Sequence, residues 1–129
     1  MLLDVDFVVS VHDEIIARTG GLPGLAGGGL LAVQSALAHV DNHALYAGLD
    51  DVLGIASLYA EVIAKGHVFN DGNKRTALAC ALTYLDRNGT QIDGEDFILE
   101  DAIVLLAEGV WSRDDFAWAL KLVEDFPRD

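Results

Sequence analysis

Nine consecutive residues, from His67 to Arg75, combine the side-chain types that act on phosphate groups. The run contains an imidazole at His67, a carboxylate at Asp71 and neighbouring cations at Lys74 and Arg75. Because imidazole titrates near neutral pH, a histidine can accept a proton as a general base. A carboxylate beside phosphate groups commonly binds Mg²⁺, which takes one or two carboxylates together with phosphate oxygens. The pattern indicates a site for a phosphorylated ligand with a base beside it.

The end of this run is predicted to be the first turn of a helix. Backbone N–H groups there lack partners and the helix dipole is positive, which favours a bound phosphate. Gly72 lets the backbone approach a ligand closely, and Asn73 can cap the helix and also contact an anion. Lys74 and Arg75 oppose the dipole by up to about 1 kcal/mol each, a conflict that a bound anion would remove. Phe69 is expected to anchor the loop to the core.

Each feature also has a purely structural interpretation. A histidine in a loop between helices is usually a solvated residue, and an Asp-Gly turn is common. From these residue types alone, a catalytic role for His67 and a plain surface loop both remain open.

The surrounding sequence predicts an all-α protein, a compact bundle of about six helices in one domain of residues 1–129. Apolar residues recur at helical spacing, and glycines separate the periodic segments. Helices are expected at about residues 5–18, 30–39, 51–66, 73–88 and 97–108, and from residue 112 onward. Residues 40–49 are interpreted as a connecting segment.

Local signals mark several of these helix ends. Asp50 or Asp51 can cap the third helix, and Ser112 with Asp115 resembles a capping box for the sixth. Residues 20–29 contain six glycines and one proline and are predicted to form a flexible loop. These glycines lack the Gly-Lys-Ser/Thr ending of a nucleotide-binding P-loop.

Composition limits the possible partners and compartments. The formal net charge of −13 would repel a phosphate backbone, so we exclude nucleic acid as a partner. The acidity serves solubility or favours a basic protein partner. The single cysteine, Cys80, predicts a buried structural thiol in a reducing cytoplasm. No signal peptide is evident, and the apolar stretch at residues 103–107 is too short to span a membrane.

The run from His67 to Ala77 resembles the signature of the Fic/Doc family and is most similar to its death-on-curing branch. The resemblance continues in Val-His-Asp at residues 11–13, Gly-Gly-Leu-Pro-Gly at residues 20–24 and Asn-Gly at residues 88–89. It covers about residues 5–90. It implies the helical Fic/Doc fold, in which the motif loop joins two central helices and residues 39–50 occupy the place of a flap that docks the target chain.

The resemblance also implies a role for each motif residue. His67 would accept a proton from a target hydroxyl, and Asp71 would hold Mg²⁺. The phosphates of ATP would be bound by Gly72, Asn73, Lys74 and Arg75.

Two positions separate this chain from most of the family, which transfers a nucleotide monophosphate. Lys74 stands where most members carry glycine, and Leu78 where they carry a second arginine. The death-on-curing branch is similar to this chain at both positions, which implies a protein kinase that transfers the terminal phosphate of ATP. The implied target is a threonine of translation elongation factor Tu, so the chain would be a toxin that blocks translation. The implied partner is an antitoxin of the prevents-host-death type.

Two alternatives remain. The chain could transfer a nucleotide monophosphate to a protein hydroxyl, as in the wider family, although Lys74 and Leu78 argue against this. It could also be an inactive Fic-fold binding module. The intact set of His67, Asp71, Asn73 and Arg75 argues against that interpretation.

Overall fold

The computed structural model describes residues 2–46, 51–93 and 96–126. Within these residues the chain forms six α-helices and no strand, as the sequence predicts. The helices are α1 (Val5–Thr19), α2 (Gly29–Tyr46), α3 (Val52–Gly66), α4 (Asn73–Arg87), α5 (Phe97–Ala107) and α6 (Arg113–Asp125).

Short polar side chains fix the starts of several helices. The carboxylate of Asp51 accepts from the Leu53 N–H at 3.1 Å, so Asp51 rather than Asp50 caps α3. At α6, the Ser112 hydroxyl accepts from the Asp115 N–H, and the Asp115 carboxylate accepts from the Ser112 N–H. The predicted capping box is therefore confirmed, with aspartate in the place usually held by glutamate.

Helix α3 lies at the centre of the bundle and packs against α2, α4, α5 and α6. Its side chains from Ile55 to Ala60 are all buried, as expected for a helix that is enclosed on most sides. Small residues on α4, including Ala77, Cys80 and Ala81, let α3 and α4 approach closely. Cys80 is fully buried, which confirms the predicted structural thiol.

The second helix is longer than the sequence indicated. The predicted connecting segment at residues 40–49 is wrong over residues 40–46, which form the last turns of α2, and residues 47–50 lie outside the described residues. Buried residues recur at helical spacing at Val33, Leu37 and Val40, so packing against α3 stabilises the longer helix. The implied flap at residues 39–50 is accordingly helical in its first part.

In the part of the chain that the structure describes, no helix is sufficiently long and apolar to cross a bilayer.

Candidate active site

The six residues from His67 to Gly72, here called the motif loop, join the two helices that pack most extensively, α3 and α4. His67 follows α3 in the left-handed conformation, with φ of 49° and ψ of 42°. This conformation costs a residue with a side chain about 1–2 kcal/mol, and glycine would avoid that cost. Gly72 ends the loop with φ of 75° and is the N-cap of α4.

Asn73 does not cap α4, contrary to the sequence-based prediction. The N-cap residue is Gly72, which has no side chain to cap with. The Asn73 side chain turns back to the loop instead, where its Oδ1 accepts from the Phe69 N–H at 3.1 Å and its Nδ2 donates to the Phe69 carbonyl at 3.0 Å. Both hydrogen-bonding groups of the Asn73 amide are thus used to shape the loop, and the start of α4 has no side-chain cap.

A cleft of about 970 Å³ opens beside this helix end. The structure brings His67, Asp71, Gly72, Asn73, Lys74 and Arg75 together on its wall. Further lining residues come from α1 (Ile15 and Thr19), from α4 (Leu78, Ala79 and Leu82) and from α5 (Glu100, Ile103 and Val104). The cleft is therefore polar and cationic at the motif loop and mostly apolar between α4 and α5, where Glu100 is the exception.

Asp71 lies at the polar end with its carboxylate held by backbone groups. Its Oδ1 accepts from the Gly72 N–H at 2.8 Å, and its Oδ2 accepts from the Leu22 N–H at 3.2 Å. These two bonds, with the positive charge of Arg75, hold the pKa of the Asp71 carboxyl below its usual range. The group is consequently a carboxylate at neutral pH, oriented by a bond on each oxygen.

The two cations of the motif differ in their surroundings. The Arg75 guanidinium donates to the hydroxyl of Thr19, which in turn donates to the Ile15 carbonyl at 2.7 Å. The last turn of α1 therefore orients Arg75 along the cleft. Lys74 is exposed at the cleft wall, where its ammonium group can approach an anion.

Beneath the cleft, Phe69 is buried, with 2% of its surface exposed. Its ring stacks on the imidazole of His12 from α1, with centroids 3.8 Å apart and planes inclined by 5°. The imidazole Nε2 of His12 lies 2.7 Å from the backbone carbonyl oxygen of Asp71. Helix α1 thus contacts the motif loop through a ring stack and a hydrogen bond.

The glycine-rich segment after α1, predicted to be flexible, is tied to the motif loop in its first half. The Ala26 N–H donates to the Val68 carbonyl at 2.9 Å, and the Asn70 N–H donates to the Gly24 carbonyl at 3.1 Å. Together with the Leu22 bond to Asp71, these contacts make residues 22–26 a strap across the loop. The physical reason is that the exposed backbone groups of the loop find partners in this segment.

Sequence reasoning did not assign His12, Thr19, Leu22 or Glu100 to the site. His12 had a usable signal, because it interrupts the apolar stripe of α1 and a buried imidazole requires a polar partner. Thr19, Leu22 and Glu100 carried no such signal. The packing of α1 and α5 against α4 brings Thr19 and Glu100 to the cleft, and Leu22 reaches the site through its backbone bond to Asp71.

The oxygen chemistry of the cleft fits a nucleotide-bound Mg²⁺. Asp71 presents an ionised carboxylate whose two oxygens each accept one bond from the backbone, which leaves lone pairs for a cation. Within residues 2–46, 51–93 and 96–126 no group of three or more His, Cys, Asp or Glu side chains is positioned to hold a metal ion. A single carboxylate that shares the ion with phosphate oxygens is the arrangement Mg²⁺ commonly adopts.

Comparison with known proteins agrees with this geometry. Residues 2–85 match the model of the family described as the Fic/DOC family. The chain is also 39% identical, over 85 residues, to "Protein kinase doc" of Escherichia phage P1, and these residues make up 66% of each chain. The matched part thus spans just under two thirds of that relative's length. The family match includes the whole motif loop and covers more than half of the chain, and we conclude that this chain belongs to the Fic/Doc family.

Proposed function

We propose that this chain is a toxin kinase that transfers the terminal phosphate of ATP to a protein hydroxyl. The observation that carries the proposal is the convergence in one cleft of His67, the Asp71 carboxylate and the cationic start of α4. The phage P1 relative is named a protein kinase, which supports the same reaction class. We take residues 1–129 to form a single domain.

His67 is the general base of the proposed reaction. It would take the proton from the target hydroxyl as the hydroxyl oxygen forms a bond to the γ-phosphorus. The bond from that phosphorus to the oxygen bridging to the β-phosphate breaks, and ADP leaves. The strained left-handed backbone of His67 supports this role, because a residue without function at this position would be replaced by glycine at a gain in stability.

The phosphates would lie at the start of α4. The first-turn N–H groups and the positive helix end favour phosphate oxygens, and Lys74 and Arg75 add full charges. Glycine suits the start of this helix, since Gly72 has φ of +75° and a Cβ there would lie 3.2 Å from Ile16 and 3.6 Å from the Arg75 guanidinium. Asp71 would hold Mg²⁺, which when bound neutralises charge on the phosphates.

Transfer of the terminal phosphate is preferred to nucleotide transfer for a structural reason. Leu78 lines the cleft one turn beyond Lys74 and presents an apolar side chain where a second phosphate clamp would be needed. The cleft beyond it continues as the apolar wall of Leu82, Ile103 and Val104, which suits a base and ribose better than further phosphates.

The target and the partner in this proposal rest on the family resemblance. A threonine of elongation factor Tu would accept the phosphate, and an antitoxin of the prevents-host-death type would neutralise the chain in the cytoplasm. Co-expression with such an antitoxin would restore growth of cells that the toxin alone arrests.

The reaction can be tested with labelled ATP. The purified chain is incubated with Mg²⁺, elongation factor Tu and ATP labelled at the α or at the γ phosphate. We expect γ label on the factor, and a loss of about 10²–10⁴-fold in the His67→Asn variant. Asparagine is the suitable substitute because it tolerates the left-handed backbone, so the variant should fold like the wild type.

The other outcomes separate the alternatives. Transfer of α label would show a nucleotidyl transferase. No label on the factor, but γ label on another protein of a cell lysate, would retain the kinase and refute the target. No transfer in the lysate, with ATP binding intact, would indicate an inactive binding module and overturn the proposal.

A further inference from the structure

His12 is a buried polar residue in an otherwise apolar position. It lies on the inner face of α1, one turn after the buried Val8, and only 1% of its surface is exposed. Removing an imidazole from water without a hydrogen bond costs about 1–3 kcal/mol, whereas an apolar ring would fill the same space at no such cost. The buried imidazole therefore needs a hydrogen-bond partner.

That partner is the backbone of Asp71. The His12 Nε2 lies 2.7 Å from the Asp71 carbonyl oxygen, and because a carbonyl only accepts, Nε2 carries the hydrogen. The other ring nitrogen, Nδ1, lies 3.3 Å from the exposed carboxylate of Asp13. The ring face stacks on Phe69, so both the plane and the donor of His12 are fixed.

The hydrogen bond from His12 is made to the residue whose side chain lines the cleft. The carbonyl that His12 holds and the carboxylate that faces the cleft belong to the same residue, Asp71. The Asp71 carbonyl and the Gly72 N–H belong to the same peptide group, so a rotation of that group would move the N–H that bonds the Asp71 carboxylate at 2.8 Å. His12 thus restrains the backbone of Asp71, while the N–H groups of Leu22 and Gly72 restrain its side chain.

We propose that His12 is a positioning residue that fixes the Asp71 backbone and thereby aims its carboxylate at a nucleotide-bound divalent cation. The proposal rests on the function proposed above, in which Asp71 binds that cation. Residues that hydrogen-bond a metal ligand from outside commonly contribute about 10–100-fold to metal affinity or activity. His12 acts through the backbone of the ligand and makes no contact with the reacting atoms.

The test compares two substitutions of His12, one without and one with a hydrogen-bond donor. His12→Phe keeps a ring to stack on Phe69 and loses the donor, whereas His12→Gln places an amide N–H near the position of Nε2. Asp13→Ala is the matched control, because it removes the exposed neighbour of His12 and leaves the Asp71 contact intact. Binding of Mn²⁺, in the presence of a non-hydrolysable ATP analogue, is measured by electron paramagnetic resonance.

We expect His12→Phe to weaken Mn²⁺ binding by at least about tenfold, with most of the affinity recovered in His12→Gln and none lost in Asp13→Ala. A second measurement needs no nucleotide. Hydrogen exchange of the Leu22 and Gly72 amides, which bond the Asp71 carboxylate, should be faster in His12→Phe than the change in global stability explains.

The outcomes distinguish this proposal from the proposed function. If the wild type binds Mn²⁺ with the analogue and His12→Phe binds it equally well, the role of His12 is refuted and the proposed function stands. If the wild type binds no cation, the proposed role of Asp71 fails, and the exchange measurement decides the His12 contact alone. If the Leu22 and Gly72 amides exchange at the same rates in wild type and His12→Phe, the positioning role of His12 is refuted.

Discussion

Replacement of Gly21 by alanine tests whether the segment after α1 must leave room for the Asp71 carboxylate. Gly21 has φ of +122°, and a Cβ built there would lie 2.6 Å from Asp71 Oδ2. Ordinary contacts begin at 3.4 Å, so the methyl group and the oxygen must separate by about 0.8 Å. The same oxygen accepts the Leu22 N–H at 3.2 Å, and this bond would be strained by the same movement.

Gly20 provides a matched control for this substitution. It also has a positive φ, of +83°, but a Cβ built there meets nothing within 4 Å. Alanine at either position should therefore cost about 1–3 kcal/mol of backbone strain. Only alanine at Gly21 adds the collision with Asp71.

We expect Gly21→Ala to lose at least as much stability as Gly20→Ala in urea unfolding, and much more activity. A displacement near 1 Å in a reacting group costs up to about 10²-fold in rate. The rate of γ-phosphate transfer, measured where both variants are folded, should fall about 10–100-fold in Gly21→Ala and much less in Gly20→Ala. Equal rates in the two variants would show that the position of Asp71 Oδ2 does not limit the reaction, and would refute the reasoning.

Three further predictions concern stability and reactivity. Tyr59→Phe removes the oxygen that accepts the buried Leu3 N–H at 2.8 Å, and should lower the free energy of unfolding by about 1–3 kcal/mol. Tyr84→Phe is its control in the same urea titration, since the Tyr84 hydroxyl makes no hydrogen bond among the described residues, and equal losses would contradict the prediction. Burial raises the pKa of Cys80 to about 12, so a thiol reagent should modify it only after unfolding, and rapid labelling of the native chain would show that α4 is open. Because its folded pKa is below the ordinary 3.8, Asp71 stabilises the chain above about pH 4 and loses this contribution as the pH falls through the folded value. Wild type should thus lose more stability than Asp71→Asn between pH 5 and 2, and a constant difference between their unfolding midpoints would argue against it.

The sequence alone predicted the order and type of the six helices, because their apolar residues repeat at helical spacing and glycines or capping residues separate them. It also predicted the capping box at Ser112 and the burial of Cys80, both of which depend on neighbours in the chain. The motif loop from His67 to Gly72 was identified as a unit because its residue types are adjacent in sequence. Features of this kind depend on residues that are close in sequence, so the sequence alone can predict them.

Local signals failed where tertiary contacts compete with them. Asp41 and Asn42 suggested a break after the second helix, but they lie exposed on the outer face while Val40 is buried, and α2 continues. Asn73 suggested a cap, but its amide bonds the Phe69 backbone on both sides instead. In the first case burial of the neighbouring apolar residues continues the helix past the polar pair, and in the second the amide bonds the loop backbone instead of the helix end.

Only the tertiary structure joined α1 and the segment after it to the motif loop. His12 and Asp71 are 59 residues apart, and Leu22 and Asp71 are 49 apart, yet each pair is hydrogen-bonded. The sequence shows that these residues exist and that His12 lies on an apolar face, but not what they contact. Their meeting depends on how α1 packs against α4, a long-range arrangement set by the whole core. Nine consecutive residues thus supply the reactive groups of the candidate site, and residues far from them in sequence fix the orientation of Asp71.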